Sequence, residues 1–155
     1  PILGVEMAST GEVACFGYDV KKTYIKALMS SGFKIPKKNI LLSIGDDTVK
    51  YDFQTSLDYL IKMGYNIYTN DEFYKGLNLI KLDTIVEHIT NNTIELLINI
   101  PKNIYSDNSP DGFTMRRTCL DYNIPIITNI KCAKLFVSMA IRFQQVLPSW
   151  DPICY

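Results

Sequence analysis

The segment 94–100, IELLINI, restricts the fold more than any other stretch of the chain. Read as a strand, it sends apolar side chains to both faces, so both faces need cover. A sheet with one wet face would alternate apolar and polar residues instead. The run 39–44, NILLSI, has the same character, and so does PIIT at 125–128. Two more short strands are expected at 65–68, YNIY, and at 79–82. Helical periodicity fills the intervals. One helix is expected over 20–31, with Tyr24, Ile25, Leu28 and Met29 on its apolar stripe and Gly32 as its stop. A second, over 52–63, carries Phe53, Leu57, Leu60 and Ile61 and stops at Gly64. Residues 71–75 fit one helical turn. Thr84 and Glu87 have capping-box spacing for a short helix that ends at Asn91 and Asn92. Asp111 can cap a helix bearing Met115, Cys119 and Tyr122. The last helix, 131–144, aligns Cys132, Leu135, Phe136, Met139, Ala140 and Phe143. This alternation predicts an α/β three-layer sandwich: a five-stranded parallel sheet with helices on both faces, Rossmann-like in architecture. Such sheets bind ligands beyond the carboxyl ends of their strands. Those ends are 43–47, 68–71, 81–84, 99–103 and 128–129.

Composition narrows the function classes. At 155 residues and 47% hydrophobic content the chain can bury a core as a single domain. Sixteen basic and sixteen acidic side chains cancel, which argues against nucleic-acid binding through bulk charge. No apolar run approaches the ~20 residues of a membrane helix, and no signal peptide is read. Cys15, Cys119, Cys132 and Cys154 form no CxxC, and there is one histidine, so no zinc site is expected. The four are read as reduced thiols of an intracellular protein. The glycosylation sequon at 91–93 carries no weight in that setting.

The residues that could carry chemistry lie mostly at the strand ends. After the 39–44 strand come Ser43, Gly45, Asp46, Asp47 and Lys50. A glycine turn, free N–H groups at a helix start, a serine and a lysine suit an anion. Asp46 and Asp47 oppose one, and a plain strand-to-helix turn with an aspartate cap fits equally well. Asn99 ends a strand, followed by Pro101, Lys102 and Asn103 on a long polar loop. Arg116 and Arg117 are adjacent on a helix, so at most one faces a given site. Asp46, Asp47, Asp71 and Glu72 could pair as carboxylates, with nothing to set their separation. His88 lies mid-helix, away from every strand end, and reads as structural. The aromatic side chains follow helix stripes and read as core.

The stretches GVEMASTGEV, GFKIPKKNILLSIG, LLINIP, MRRTCLDYNIPIITN and CAKLFVSMA occur in the order of one family. Together they resemble the C-terminal regulatory domain of carbamoyl phosphate synthetase large chains, eukaryotic type, with its methylglyoxal-synthase-like fold. The resemblance covers nearly the whole chain. It implies a five-stranded parallel sheet and a domain that does no chemistry itself. Such a domain binds an effector at the strand ends and changes the activity of the ATP-using halves. The effectors it implies are nucleotide monophosphates in bacteria, with ornithine acting at the domain's border. In animals they are UTP and phosphoribosyl pyrophosphate, or N-acetylglutamate for the mitochondrial type. The parent enzyme uses ATP with Mg or Mn; no cofactor is expected in this stretch. Synthetase domains of the same chain are implied partners, and a homo-oligomer is allowed. A cytoplasmic location is expected, with mitochondrial as the alternative.

Carried over by position, Ser43 and Lys50 match a serine and a lysine of the family's nucleotide pocket. Asn99 matches an asparagine shared by the nucleotide and N-acetylglutamate pockets. Asn70 stands where relatives place the first threonine of a Thr-x-x-Thr phosphate loop, and Lys102 falls where the mitochondrial type has asparagine. The stretch YTNDEFYKG lacks the second threonine, and Pro101 replaces a pocket threonine. Asp71 and Glu72 place negative charge where a phosphate would sit. At ~4 Å and an effective dielectric of roughly 20, each such contact costs about 4 kcal/mol. The expected effector set is thus Ser43, Lys50, Asn70, Asn99 and Lys102. Loss of the effector, leaving a purely structural or oligomerisation domain, is the rival reading. A methylglyoxal synthase would need a Gly-Gly-Asp aspartate and a threonine-rich phosphate loop, and both are missing from the sequence. Under the same resemblance, 1–17 is the trailing part of the preceding ATP-grasp unit, 18–145 the regulatory domain and 146–155 a tail or linker.

Overall fold

A computed structural model describes residues 14–74, 76–80, 82–102 and 110–146. Most of the expected 1–17 segment, Asn103, Cys154 and the tail beyond 146 lie outside the described residues. The described residues up to Phe33 form one compact unit, and those from Lys34 onward form another. The first holds helix α1 (Val20–Ser30), capped by Asp19, whose carboxylate accepts the Lys21 N–H. Gly32, at φ +83°, ends it.

The second unit is a five-stranded sheet with four helices. In chain order it runs β1 (Asn39–Ile44), α2 (Asp47–Lys62), β2 (Asn66–Thr69), β3 (Asn78–Leu79), α3 (Leu82–Thr90), β4 (Leu96–Ile100), α4 (Pro110–Asp121), β5 (Ile126–Ile127) and α5 (Ile130–Val146). Every pairing is parallel, and the spatial order is β3-β2-β1-β4-β5. The central ladder pairs Ile40 with Leu96, Leu41 with Leu97 and Leu42 with Ile98, all without solvent exposure. Leu41 and Leu97 belong to the core layer built with Ile85, Ile89, Met115 and Cys119 of α3 and α4. Their neighbours in sequence point to the opposite face, where α2 and α5 pack on each other. Both faces are covered, as the doubly apolar strands require. Burial pushes the Cys119 thiol up to about 12, so it behaves as a small core residue.

Several boundaries move, each for a local reason. Helix α2 starts at Asp47 rather than 52, because the Asp46 carboxylate accepts the N–H groups of Thr48 and Val49. Asp52 instead pairs with Lys134 of α5. Strand β3 is 78–79 rather than 79–82, an edge strand whose Asn78 amide reaches the Ile67 carbonyl. Helix α3 begins at Leu82, so Thr84 lies inside it and is not the cap that its spacing suggested. Pro110 opens α4, one residue before the expected aspartate cap. Asn129 caps α5, accepting N–H groups of Lys131 and Cys132.

Glu95 fastens the amino edge of the sheet. One of its carboxylate oxygens accepts the backbone N–H groups of Lys37, Lys38 and Asn39, at 3.0, 2.6 and 2.9 Å. Partial burial raises its pKa, but these three bonds outweigh that and hold it below the usual carboxylate value. Because the folded value is depressed, the stabilisation is complete above the unfolded value and disappears as pH falls through the folded one. Glu95→Ala is expected to cost about 2 kcal/mol in urea unfolding at pH 7. The gap to wild type should narrow progressively below pH 4.5. A gap independent of pH would show that the carboxylate charge is not the cause.

Candidate functional site

The strand order turns at β1. From there the chain proceeds outward through β2 and β3, then returns to β1's other side as β4 and continues to β5. At such a reversal the connections leave β1 and β4 in opposite directions and open a crevice beyond their carboxyl ends. Ser43, Gly45, Asn99 and Lys102 lie at this point, and Asn70 directly follows β2 on the same edge. Lys50 reaches the edge from the first turn of α2. All five expected site residues are therefore on one edge, though they do not form a single bonded cluster.

Gly45 holds the two strand ends together. Its N–H donates to the Ile100 carbonyl at 2.9 Å. A Cβ at Gly45 would stand 2.8 Å from the Lys102 backbone nitrogen, so a side chain has no room. Lys102 is exposed and electrostatically lowers the Asp46 pKa, an effect smaller than the Val49 N–H bond that leads it.

Asn99 is buried and forms one half of the site. Its amide nitrogen lies 3.5 Å from the Ser43 carbonyl, and its amide oxygen accepts from Arg116 of α4. Arg117 points away and pairs with Asp121 within the helix. The two adjacent arginines thus divide as helical geometry requires: Arg116 serves the strand end and Arg117 does not.

Lys50 forms the other half and is only 7% exposed. Its ammonium lies 2.9 Å from Asp47 and 2.5 Å from Asp71. Burial alone would lower its pKa, but the two carboxylates outweigh that and raise it. Asp71 sits in a tight turn: its N–H donates to the buried Thr69 hydroxyl, and its second oxygen accepts the Phe73 N–H. The Phe73 ring lies 5.1 Å from the Lys50 nitrogen and meets Tyr51 and Tyr74 edge-on. Tyr51 is 71% exposed, so the expectation that the aromatics are core does not hold at this rim. The Tyr74 hydroxyl is buried and has no hydrogen-bond partner among the described residues. Burial raises its pKa well above the ordinary value, and the Asp71 and Asp47 charges add to this.

Of the four carboxylates whose separation sequence spacing leaves open, Asp47 and Asp71 meet through Lys50, while Asp46 caps α2 and Glu72 is exposed. Among the described residues no group of three or more His, Cys, Asp and Glu side chains is placed to hold a metal ion. His88 stays structural: its Nδ1 lies 2.8 Å from the Thr84 carbonyl within α3. The turn at 71–74 closes through a Tyr74 N–H to Asp71 carbonyl bond of 3.3 Å, in place of a full helical turn. Sequence reasoning included Thr69 in the 68–71 strand end without giving it a role, and missed Phe73 and Tyr74 as parts of this edge. Their position directly after an expected strand was the available signal. Gly45→Ala is expected to force the strand ends apart and lower stability by roughly 1–3 kcal/mol, read as the urea midpoint. An unchanged midpoint would contradict the close approach to Lys102.

The family model described as MGS-like domain matches residues 33–128. Multifunctional protein pyr1-3 of Dictyostelium discoideum is 46% identical over 96% of this chain and 8% of its own length. Multifunctional protein URA2 of Saccharomyces cerevisiae is 38% identical over 92% of the chain and 7% of its own. The human protein named Carbamoyl-phosphate synthase (ammonia), mitochondrial, is 33% identical over 94% of the chain and 11% of its own. The chain thus spans about a tenth or less of the length of these relatives. Matched over its whole sheet, the chain belongs to the MGS-like domain family.

Proposed function

We propose that this chain is the effector-binding regulatory domain of a carbamoyl phosphate synthetase, and that its crevice at β1 and β4 receives the effector. The observation that carries the reading is the assembly of Asn99, Arg116, Lys50 and the Gly45 turn at the switch point of the sheet. The similarity to a carbamoyl-phosphate synthase and to multifunctional proteins supports the parent activity. That activity is formation of carbamoyl phosphate from bicarbonate, ATP and ammonia or glutamine, in parts of the protein outside this chain. The effector is a small anion-bearing molecule: UTP, phosphoribosyl pyrophosphate, a nucleotide monophosphate or N-acetylglutamate. Among the described residues no helix is long and apolar enough to cross a membrane. A cytoplasmic location goes with the multifunctional type, and a mitochondrial one with the ammonia type.

The domain works by coupling. An effector that binds one arrangement of the strand-end loops more tightly than another shifts the population between them. Typical couplings are about 1–3 kcal/mol. The residues for this are loop and helix-start groups at the edge, while the β1–β4 ladder beneath stays rigid.

The second reading, a domain that keeps the fold and has lost its effector, draws on Lys50, whose charge is already met by Asp47 and Asp71. Thermal unfolding of the chain with UTP, UMP, IMP, phosphoribosyl pyrophosphate and N-acetylglutamate separates the two. One of these at 100 times its dissociation constant should stabilise the chain by about 2.7 kcal/mol. Arg116→Ala should weaken that ligand by at least about tenfold, a lost charge-assisted bond. No shift with any of the five at millimolar concentration overturns the effector reading and leaves the structural one.

A further inference from the structure

The anion-binding reading of the crevice leaves one arrangement unexplained. Lys50, the best-placed cation at the β2 side of the edge, is buried and already has two carboxylates. They are not equivalent. Asp47 lies in the first turn of α2, 73% exposed, where a carboxylate is favoured with or without Lys50. Asp71 belongs to the loop after β2, and its side chain is one quarter exposed. The Phe73 ring that faces the Lys50 ammonium also meets the Tyr74 ring edge-on, and the Tyr74 hydroxyl is buried and without a partner among the described residues. A buried O–H without an acceptor is costly, so the 71–74 turn carries an unsatisfied polar group with Asp71 in place.

Resting on the effector reading above, we infer that the Asp71 carboxylate is a built-in competitor, seated on Lys50 where the acid group of an incoming anion goes. The anion binds by displacing it. The geometry provides for both states. With Asp71 seated, Lys50 is neutralised by its own chain and the Tyr74 hydroxyl is left over. With an anionic oxygen on Lys50, the displaced carboxylate, already one quarter exposed, can turn toward water. Apart from Lys50, the contacts that hold Asp71 among the described residues are local: the Thr69 hydroxyl, the Phe73 N–H and the long 3.3 Å bond from Tyr74. The apparent affinity of the site is the intrinsic affinity multiplied by the fraction of time Lys50 is free of Asp71. Small anions are thereby kept off, and only a ligand with enough further contacts displaces the plug. Asp71 is a specificity-determining residue on this account, and the 71–74 turn is the element that moves.

The test uses inorganic pyrophosphate as probe, with calorimetric titration of the purified chain. A plug seated nine-tenths of the time or more lowers apparent affinity about tenfold or more. Asp71→Asn should therefore bind pyrophosphate at least about tenfold more tightly than wild type. Asp71→Ser, which keeps a side-chain acceptor for the Phe73 N–H, should do the same and serves where Asp71→Asn folds poorly. Glu72→Gln removes the same charge one residue along, from an exposed position, and should change affinity by about twofold or less. Adding Lys50→Met to Asp71→Asn should abolish the gain. Binding by both Asp71 variants no tighter than wild type overturns the inference. So does an equal gain in Glu72→Gln, or a gain that survives loss of Lys50. The two readings fail separately. An effector that binds wild type and Asp71→Asn alike leaves the regulatory reading standing and removes the competitor. Pyrophosphate binding that appears only in the Asp71 variants, with wild type blind to every effector, does the reverse.

Discussion

The central ladder between β1 and β4 is the constraint from which the rest follows. Ile40, Leu41, Leu42, Leu96, Leu97 and Ile98 are buried on both sides of the sheet, so two layers of helix are obligatory. Full burial of each such side chain contributes about 1.5–3 kcal/mol. No single surface contact in the chain approaches the sum. A parallel ladder also needs crossover connections, and these are α2 on one side and α3 on the other. Once β1 and β4 are neighbours with connections departing in opposite directions, their carboxyl ends form a crevice. The rigid element thus creates the site as a by-product of its own covering.

Charge is then arranged around that crevice in two different ways. At Asn99 the polar group is neutral and buried, and Arg116 approaches it from α4. At Lys50 the charge is buried and compensated internally by carboxylates from two segments. A buried pair of this kind adds little net stability, because desolvation offsets most of the attraction. Its value lies in the geometry it enforces, here on the 69–74 segment. The Tyr74 hydroxyl of that segment is buried and has no hydrogen-bond partner among the described residues.

Much of the fold could be read from the chain alone, and the limits of that reading have physical causes. The strands expected at 39–44 and 94–100, found at 39–44 and 96–100, stand out because continuous apolar runs have few alternatives between Pro and Asn boundaries. The stretch GDDTVKY has no apolar stripe, so periodicity alone starts α2 at 52, and the aspartate cap that this turn also allows is what sets the start at Asp47. Thr84 has the spacing of a capping box but lies inside α3, which begins at Leu82, because a Thr-x-x-Glu spacing also fits the interior of a helix. For the site, residue types at strand ends were legible and their bonding was not. The Lys50–Asp71 pair spans β2, and the Arg116–Asn99 bond spans the loop before α4. No spacing rule reaches across those intervals. Helical geometry did reach one conclusion correctly: only one of Arg116 and Arg117 serves the strand end.

The most direct test of the account is a residue-resolved map of effector contact. Backbone amide spectra of the isotopically labelled chain, titrated with UTP, report each loop separately. The account predicts shifts concentrated at Gly45, in the 69–74 segment and at Lys102, with the β1–β4 ladder and the Glu95 clamp at the opposite edge unmoved. Shifts centred on residues 37–39 and 95, or scattered without a focus at the carboxyl edge, would contradict it.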